Sequence, residues 1–295
     1  MPALSLHQSY RHCLDITRNH YENFPVASML LPRQLRKPVS VIYAFARMAD
    51  DFADEGQISD EQRTHLLDQA RQRLLQAAKG KPADEPVYIA LADVLNKKPE
   101  LLDPLLDLLT AFNQDVHKRR YRDFGEVMAY CRYSANPVGR MLLILSDAAN
   151  ARNLAYSDAI CSALQLINFL QDIQSDYTQR NRIYMPADEL SRYQLEEAHL
   201  DGLHNSSLLA AFMNFQTQRI FKLLQAGAPL GLSLKGRMGL EIRMIVLGGW
   251  KVLKKIHENQ GDISISPRLS KRDWIWIFSR ALSSRFTLYF NKLTQ

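Results

Sequence analysis

The sequence has few of the residues that build disulfide-rich, zinc-binding or turn-rich proteins. Of 295 residues only three are cysteines, Cys13, Cys131 and Cys161, and they form no CxxC pair or Cys/His cluster. Neither a disulfide framework nor a zinc site is indicated, and a reducing compartment is the simpler expectation. Glycine and proline number twelve each. They mostly separate long segments, which favours helices over a β architecture.

Long hydrophobic runs are also missing. No uninterrupted apolar stretch approaches the ~20 residues that a membrane span requires. Polar residues interrupt the N-terminal segment, which lacks the apolar core of a signal peptide. We therefore expect a soluble, cytoplasmic protein. Internal repeats and low-complexity segments are not found either, so a single domain over residues 1–295 is predicted.

The chain is basic, with a formal net charge of +6 and a sequence pI near 9.2. Such an excess suits anionic partners, which include diphosphates, nucleic acid and acidic lipid headgroups. No Arg-Gly or aromatic RNA-binding signature accompanies the charge, so no nucleic-acid partner is expected.

Hydrophobic periodicity predicts an all-α fold, because apolar residues recur at three- and four-residue spacing and strand-type alternation is nearly absent. Pro38 is predicted to open the helix that runs through VSVIYAFARMADDFADE. The helix over 58–80 has a capping box at Ser59 and Gln62. Further helices are predicted at 86–96, 101–118, 123–135, 138–150, 157–178, 205–227, 237–259 and 270–292. The segments 80–86 and 181–193 are predicted to be surface loops.

Two aspartate pairs at helical spacing are the strongest functional signal. One stripe of the helix after Pro38 carries Tyr43, Arg47, Asp50 and Asp54. At 100° per residue these four fall within about 60° of one another. They end a strongly apolar segment, so we expect them at the mouth of a buried space.

The second pair lies in a similar stripe of the segment 157–178. Its members are Gln165, Asn168, Asp172 and Asp176. They too fall within about 60° of one another, on a helix that is otherwise apolar. Burial of such a stripe without partners would be costly, so a positive partner is expected.

Magnesium fits these acids, because it prefers hard oxygen ligands and is usually held by a few carboxylates together with substrate phosphate oxygens. Two such helices facing each other could hold metal ions on a diphosphate, neutralise the leaving group and let a C–O bond ionise. A single DxxxD motif is weak evidence, since solvated acids often show this spacing. Two motifs aligned with other polar residues are moderately specific.

Three segments, in this order, resemble the conserved blocks of the squalene/phytoene synthase family. They are HYENFPVASMLLP with VIYAFARMADDFADE, then YCRYSANPVGRMLL, then QLINFLQDIQSDYTQRNRIYMP. The resemblance covers most of the chain. It implies an isoprenoid-synthase fold, which is a single-domain helical bundle around a central cavity.

The resemblance also implies roles for individual residues. The Mg²⁺ ligands would be Asp50, Asp54, Asp172, Asp176 and Asn168. The residues contacting an isoprenoid diphosphate substrate would be Arg47, Arg182, His20, Phe24 and Gln165. The aromatic faces of Tyr43, Tyr130 and Phe24 would line the reaction zone and stabilise a cation. On sequence alone the two tyrosines also fit a core role, and His20 also fits a solvated or capping role.

Within the family, the short motifs ENFPVAS, SANPVGR and NFLQD resemble those of the hydroxysqualene synthases of bacterial hopanoid pathways. Members that condense two prenyl diphosphates typically carry arginine where this chain has Gln171. The implied reaction is therefore conversion of presqualene diphosphate to hydroxysqualene by ionisation, cation rearrangement and water capture. NADPH is not expected.

Two other functions stay open. One is a head-to-head condensing synthase of presqualene diphosphate, squalene or phytoene type, and the other is a non-catalytic helical partner of the same fold. The basic, aromatic C-terminal stretch 268–293 could rest on the inner membrane as an interfacial helix. Docking of its aromatic residues on the protein core is the slightly favoured alternative. The oligomeric state is not indicated.

Overall fold

The structure is a computed structural model that describes residues 5–19, 31–202, 207–289 and 293. Its helices, in chain order, are α1 Leu6–Asn19, α2 Arg33–Asp54, α3 Asp60–Ala78, α4 Pro86–Lys97, α5 Leu102–His117, α6 Phe124–Ser134, α7 Asn136–Leu145, α8 Ala151–Gln171, α9 Ile173–Arg180, α10 Ala187–Arg192, α11 Ser207–Gly227, α12 Leu230–Ser233, α13 Gly236–Glu258 and α14 Lys271–Ala281. Short 3₁₀ helices cover Pro99–Leu101, Glu197–Leu200 and Phe286–Tyr289. The predicted all-α class is confirmed.

The contacts within the chain group it into two compact units, each built from two separate segments. The first contains residues 1–117 and 137–150, and the second contains residues 118–136 and 151–295. In the first unit α2 packs against α1, α4, α3 and α5. In the second unit α11 packs between α8 and α13, and α14 packs on α13.

Close packing of α11 on α8 depends on a glycine. A Cβ atom at Gly227 would lie 2.5 Å from the Ile160 side chain and 2.6 Å from the Tyr156 carbonyl oxygen. Only a residue without a side chain lets the two helices approach this closely. The end of α11 is therefore held directly against α8, the helix that precedes the second aspartate pair.

Helix α2 begins earlier than predicted. Its first residue is Arg33, so Pro38 lies inside the helix and not in its first turn. The prediction for Pro38 is wrong because Leu35, which is buried, extends the apolar face of α2 towards the N-terminus. Packing of this extra turn outweighs the hydrogen bond that the proline cannot donate.

The segment predicted as one helix over 157–178 is two helices. Helix α8 ends at Gln171 and α9 begins at Ile173, because Asp172 has φ −111° and ψ 13°. The backbone hydrogen bonds from Asp172 to Asn168 and from Asp176 to Asp172 remain, at 3.0 and 2.8 Å. The four-residue spacing of the polar stripe therefore survives across the break.

The prediction of a surface loop over 181–193 is wrong. This segment contains a buried strand, β2 (Ile183–Pro186), which pairs in parallel with β1 (Arg120–Tyr121), and it ends in α10. A run this short leaves no clear period in the sequence. Pairing with residues more than sixty positions earlier is a tertiary effect.

Two further differences lie at the ends of the chain. Helix α1 was not predicted, and the last helix is shorter than the predicted 270–292, since α14 ends at Ala281. Across the described ranges, no helix combines the length and the hydropathy needed to cross a membrane. The predicted single domain with a central cavity stays a prediction.

Candidate active site

One arginine holds together the acidic end of α2. A guanidinium nitrogen of Arg47 lies 2.6 Å from carboxylate oxygens of both Asp51 and Glu55. Another lies 3.6 Å from Asp50. Burial by itself would lower the pKa of Arg47, but these three carboxylates outweigh it and the pKa is raised. The predicted polar stripe therefore exists, with its arginine bound to acids on the same helix.

Arg63 of α3 fixes the turn that follows these acids. Its guanidinium donates hydrogen bonds to the carbonyl oxygens of Glu55 at 2.9 Å, Gly56 at 2.8 Å and Phe52 at 3.3 Å. The last carbonyls of a helix lack partners within it, and a cation is favoured at this end. Arg63 thus caps α2 directly after the aspartates, a role that sequence analysis missed.

The remaining residues of the first stripe lie where the periodicity places them. Tyr43, Asp50 and Asp54 are half-buried, whereas Phe45 and Ala49 on the opposite face are completely buried. The apolar face holds α2 in its unit and leaves the polar face accessible.

The second stripe is less buried than expected. Asn168 and Asp172 are exposed, and Gln165 and Asp176 are half-buried. The stripe is therefore not buried as a whole, because it lies on the accessible side of the α8–α9 segment. Its polar groups reach solvent and need no buried partner in the protein.

Two arginines provide positive charge near the second aspartate pair. A guanidinium nitrogen of Arg180 lies 4.0 Å from the Asp176 carboxylate. Partial desolvation raises the pKa of the Asp172 carboxyl. The positive charges of Arg180 and Arg268 favour its ionised form and offset only part of this rise. Because Asp172 is exposed, solvent screening reduces all of these effects.

Gln171 anchors the loop that carries Arg268. Its side-chain amide donates a 2.6 Å hydrogen bond to the carbonyl oxygen of Pro267. The next carbonyl, that of Arg268, accepts a 2.8 Å hydrogen bond from Lys255. The loop between α13 and α14 is thus fixed at two consecutive residues beside Asp172.

Tyr130 belongs to an aromatic cluster in the second unit. It lies 5.7 Å from Tyr121, 5.9 Å from Phe169 and 5.5 Å from Tyr184, measured between ring centroids. Phe169 and Tyr184 are stacked at 3.8 Å. The predicted tyrosine is therefore buried among rings contributed by β1, β2 and α8. Tyr184 was within reach of sequence reasoning, since it lies in the RIYMP end of the third block that resembles the family.

A small cavity of about 10 Å³ adjoins this cluster. Asp176 and Arg182 line it together with Phe169 and Tyr184. The backbone N–H of Arg182 donates to the carbonyl of Asp176 at 2.9 Å. The structure thus brings together two predicted site residues and the aromatic cluster that contains Tyr130.

Arg120 on β1 holds the turn between Asp176 and Arg182. It donates to the carbonyl oxygen of Asn181 at 2.6 Å and to the Asn181 side chain at 2.8 Å. Asn181 has a left-handed backbone with φ 51°, which asparagine tolerates better than most residues. Two further hydrogen bonds join Arg120 to Glu197 at 2.6 and 2.8 Å.

The carboxylates of the two motifs suit a Mg²⁺ site that becomes complete only when substrate binds. Within the described ranges, no three His, Cys, Asp or Glu side chains converge to form a complete metal cage. Magnesium is usually bound by one or two carboxylates and completed by water and substrate phosphate oxygens. Each motif offers a pair of accessible carboxylates, which matches that mode.

The predicted residues His20 and Phe24 lie outside the described residues.

The comparisons with known proteins agree with the three blocks in the sequence. The family model described as squalene/phytoene synthase matches residues 17–274. A hydroxysqualene synthase of Rhodopseudomonas palustris is 37% identical over 225 residues, which cover 76% of this chain and 75% of that protein. The chain belongs to the squalene/phytoene synthase family. As a member of that family, it is an isoprenoid synthase.

Further squalene/phytoene synthase relatives support this assignment. A hydroxysqualene synthase of Zymomonas mobilis is 36% identical over 228 residues, covering 76% of this chain and 75% of that protein. A crystal structure described as squalene synthase HpnC from Alicyclobacillus acidocaldarius matches with a TM-score of 0.81 at 30% identity. The match covers 86% of this chain and 95% of that one. The predicted helical fold of the family is therefore confirmed.

Proposed function

We propose that this isoprenoid synthase converts presqualene diphosphate and water to hydroxysqualene and diphosphate. The C–O bond to the diphosphate breaks and its electron pair leaves with the diphosphate. The cyclopropylcarbinyl cation then rearranges with ring opening, and water forms the new C–O bond and loses a proton. The observation that carries the proposal is Gln171, a neutral side chain already bonded to Pro267, at the position where condensing relatives typically carry arginine.

The similarity to two bacterial hydroxysqualene synthases supports the same reaction. We propose that both motifs bind Mg²⁺, and through it the diphosphate oxygens. The ligands would be Asp50 and Asp54 in α2, and Asn168, Asp172 and Asp176 in the second motif. When bound, Mg²⁺ would neutralise the leaving group. Tyr43, Tyr130, Gln165 and the predicted residues Phe24 and His20 would complete the substrate site.

Arginine side chains would help to neutralise the negative charge of the diphosphate, because a guanidinium can donate two parallel hydrogen bonds to phosphate oxygens. Arg182 lines the same cavity as Asp176. Arg47 would exchange one of its carboxylate partners for the substrate.

We further propose that Arg268 supplies the cation that Gln171 does not. It lies in a loop fixed through Pro267 and Lys255 and acts electrostatically on Asp172. Arg268→Gln is expected to raise the KM for presqualene diphosphate about tenfold, since charge-assisted hydrogen bonds to a phosphate contribute roughly 1.5–3 kcal/mol. Steady-state kinetics of this variant and of Arg237→Gln, an exposed arginine on α13, provide the measurement. Equal KM values for Arg268→Gln and the wild type would contradict this role.

The reaction is tested by incubating the purified enzyme with presqualene diphosphate and Mg²⁺, with and without NADPH. We expect an alcohol at the same rate in both samples, because water and not hydride captures the cation. Chromatography with mass spectrometry identifies the product. A C30 hydrocarbon formed only with NADPH would contradict the proposal.

The second candidate is a head-to-head condensing synthase, which the relative described as squalene synthase HpnC favours. Farnesyl diphosphate distinguishes the two. Its conversion to presqualene diphosphate or to a C30 hydrocarbon would replace the first proposal with this one.

We also propose that the enzyme acts in the cytoplasm and contacts the inner membrane peripherally, since a C30 product has little solubility in water.

A further inference from the structure

Helix α14 exposes a stripe of large apolar side chains. Ile275, Phe278 and Leu282 are 71%, 46% and 60% exposed, and Ile275 is the most exposed large hydrophobic residue in the described part of the chain. At 100° per residue the three fall within about 60° of one another. Leu282 follows the last helical residue with a helical backbone, φ −68° and ψ −23°. We call these three residues the apolar stripe.

The opposite face of α14 is packed against the protein. Ile277 and Ala281 are completely buried, and Trp276 stacks on Trp250 of α13 with ring centroids 5.4 Å apart. The prediction that the aromatic residues dock on the core is therefore correct for Trp276. It is wrong for Phe278, which points away from the core with the apolar stripe.

Four exposed basic side chains lie on α14 or within four residues of its end. Lys271, Arg272, Arg280 and Arg285 are all exposed. From residue 268 to the end of the chain, the sequence holds six basic residues and one acidic residue, Asp273. We call the four exposed basic residues the basic rim.

The single acid does not weaken this positive surface. Asp273 is buried and lies 2.6 Å from the Lys255 ammonium group. Burial alone would raise the pKa of Asp273, but hydrogen bonds from Lys255 and Ser270 outweigh it and lower the pKa to about 2. Its negative charge is thus neutralised by Lys255 of α13 inside the protein.

We propose that α14 lies on a bilayer rich in anionic phospholipid, with the apolar stripe inserted at the headgroup boundary and the basic rim bound to lipid phosphates. An amphipathic helix with this distribution of charge binds through buried apolar area together with attraction to anionic lipid. This proposal concerns the place where the enzyme works and does not depend on which reaction it catalyses.

A second copy of the chain fits this surface less well. Two apolar stripes brought together would also bring two basic rims together, and like charges across an interface are unfavourable. Three side chains also supply little area compared with the ~1,000 Å² that a specific protein interface needs. Charge complementarity therefore favours the anionic membrane.

The test measures partitioning of the full chain onto vesicles of phosphatidylglycerol and phosphatidylcholine, by sedimentation, without substrate. The wild type is expected to bind vesicles that contain phosphatidylglycerol and to be released by salt. A triple variant replaces the apolar stripe: Ile275→Ser, Phe278→Ser and Leu282→Ser. A charge variant replaces the basic rim: Lys271→Gln, Arg272→Gln, Arg280→Gln and Arg285→Gln. Each is expected to bind at least about tenfold more weakly.

The matched control replaces three exposed apolar residues elsewhere, which are Val138, Leu208 and Leu232, at 49%, 41% and 48% exposure. With serine at these positions, binding to vesicles should equal that of the wild type. Turnover of detergent-dispersed presqualene diphosphate should be unchanged in the apolar-stripe variant. Wild-type vesicle binding by both α14 variants would overturn the proposal. So would a dimer in lipid-free sedimentation that the triple variant dissociates.

Discussion

Asp50→Asn and Asp172→Asn should each lower the turnover of presqualene diphosphate by at least about a hundredfold, the effect of removing one electrostatic contact to a leaving group. Asparagine keeps the shape of the side chain but loses the negative charge that a hard cation requires. Because Asp50 is half-buried and Asp172 exposed, neither change leaves a buried group without a partner. The loss should therefore appear in turnover and not in stability.

Matched controls separate loss of metal binding from loss of charge in general. Asp68→Asn on α3 and Asp188→Asn on α10 remove one exposed carboxylate from each unit. Both should keep wild-type turnover. Titration with Mg²⁺ adds a second measurement, since the variants at Asp50 and Asp172 should need a higher metal concentration for half-maximal rate. Unchanged Mg²⁺-dependent turnover in both variants would rule out the proposed metal sites.

Glu189→Ala should be the most destabilising of these single substitutions, by roughly 3–5 kcal/mol, because it removes a buried carboxylate and leaves the guanidinium of Arg219, which is mostly buried at 19% exposure, without this partner. Two guanidinium nitrogens of Arg219 lie 2.5 and 2.9 Å from the Glu189 carboxylate. Gln216 donates to the same carboxylate at 2.7 Å. The Arg219 guanidinium also lies 3.5 Å from the centroid of the Phe124 ring. One network therefore joins α10, α11 and α6 within the second unit.

Thermal unfolding followed by circular dichroism measures this effect, and a fall of the midpoint by several degrees is expected. Glu258→Ala is the control, since Glu258 pairs with Lys254 at 3.6 Å on the surface. Exposed pairs contribute about 0–1 kcal/mol, so its midpoint should hardly move. Equal midpoints for the two variants would show that the buried network adds no more than a surface pair.

The sequence alone determined the helical class, most helix positions and the two polar stripes. These properties depend on local periodicity, and a 3.6-residue repeat is visible over long segments. The stripe of α2 and its apolar counterpart, Phe45 and Ala49, lie as the helical wheel predicts. The three sequence blocks also indicated the family, which the comparisons confirmed.

Tertiary structure alone decided the break at Asp172, the pairing of β1 with β2 and the aromatic cluster around Tyr130. It also placed the supports of the site, which are Arg63, Arg120 and the loop of Arg268. Most of these features depend on contacts between different helices, strands and loops, and no local repeat encodes such contacts. Paired aspartates, and Arg47 beside the first pair, can thus be recognised from the sequence, whereas the supporting arginines Arg63, Arg120 and Arg268 become apparent only when the chain is folded.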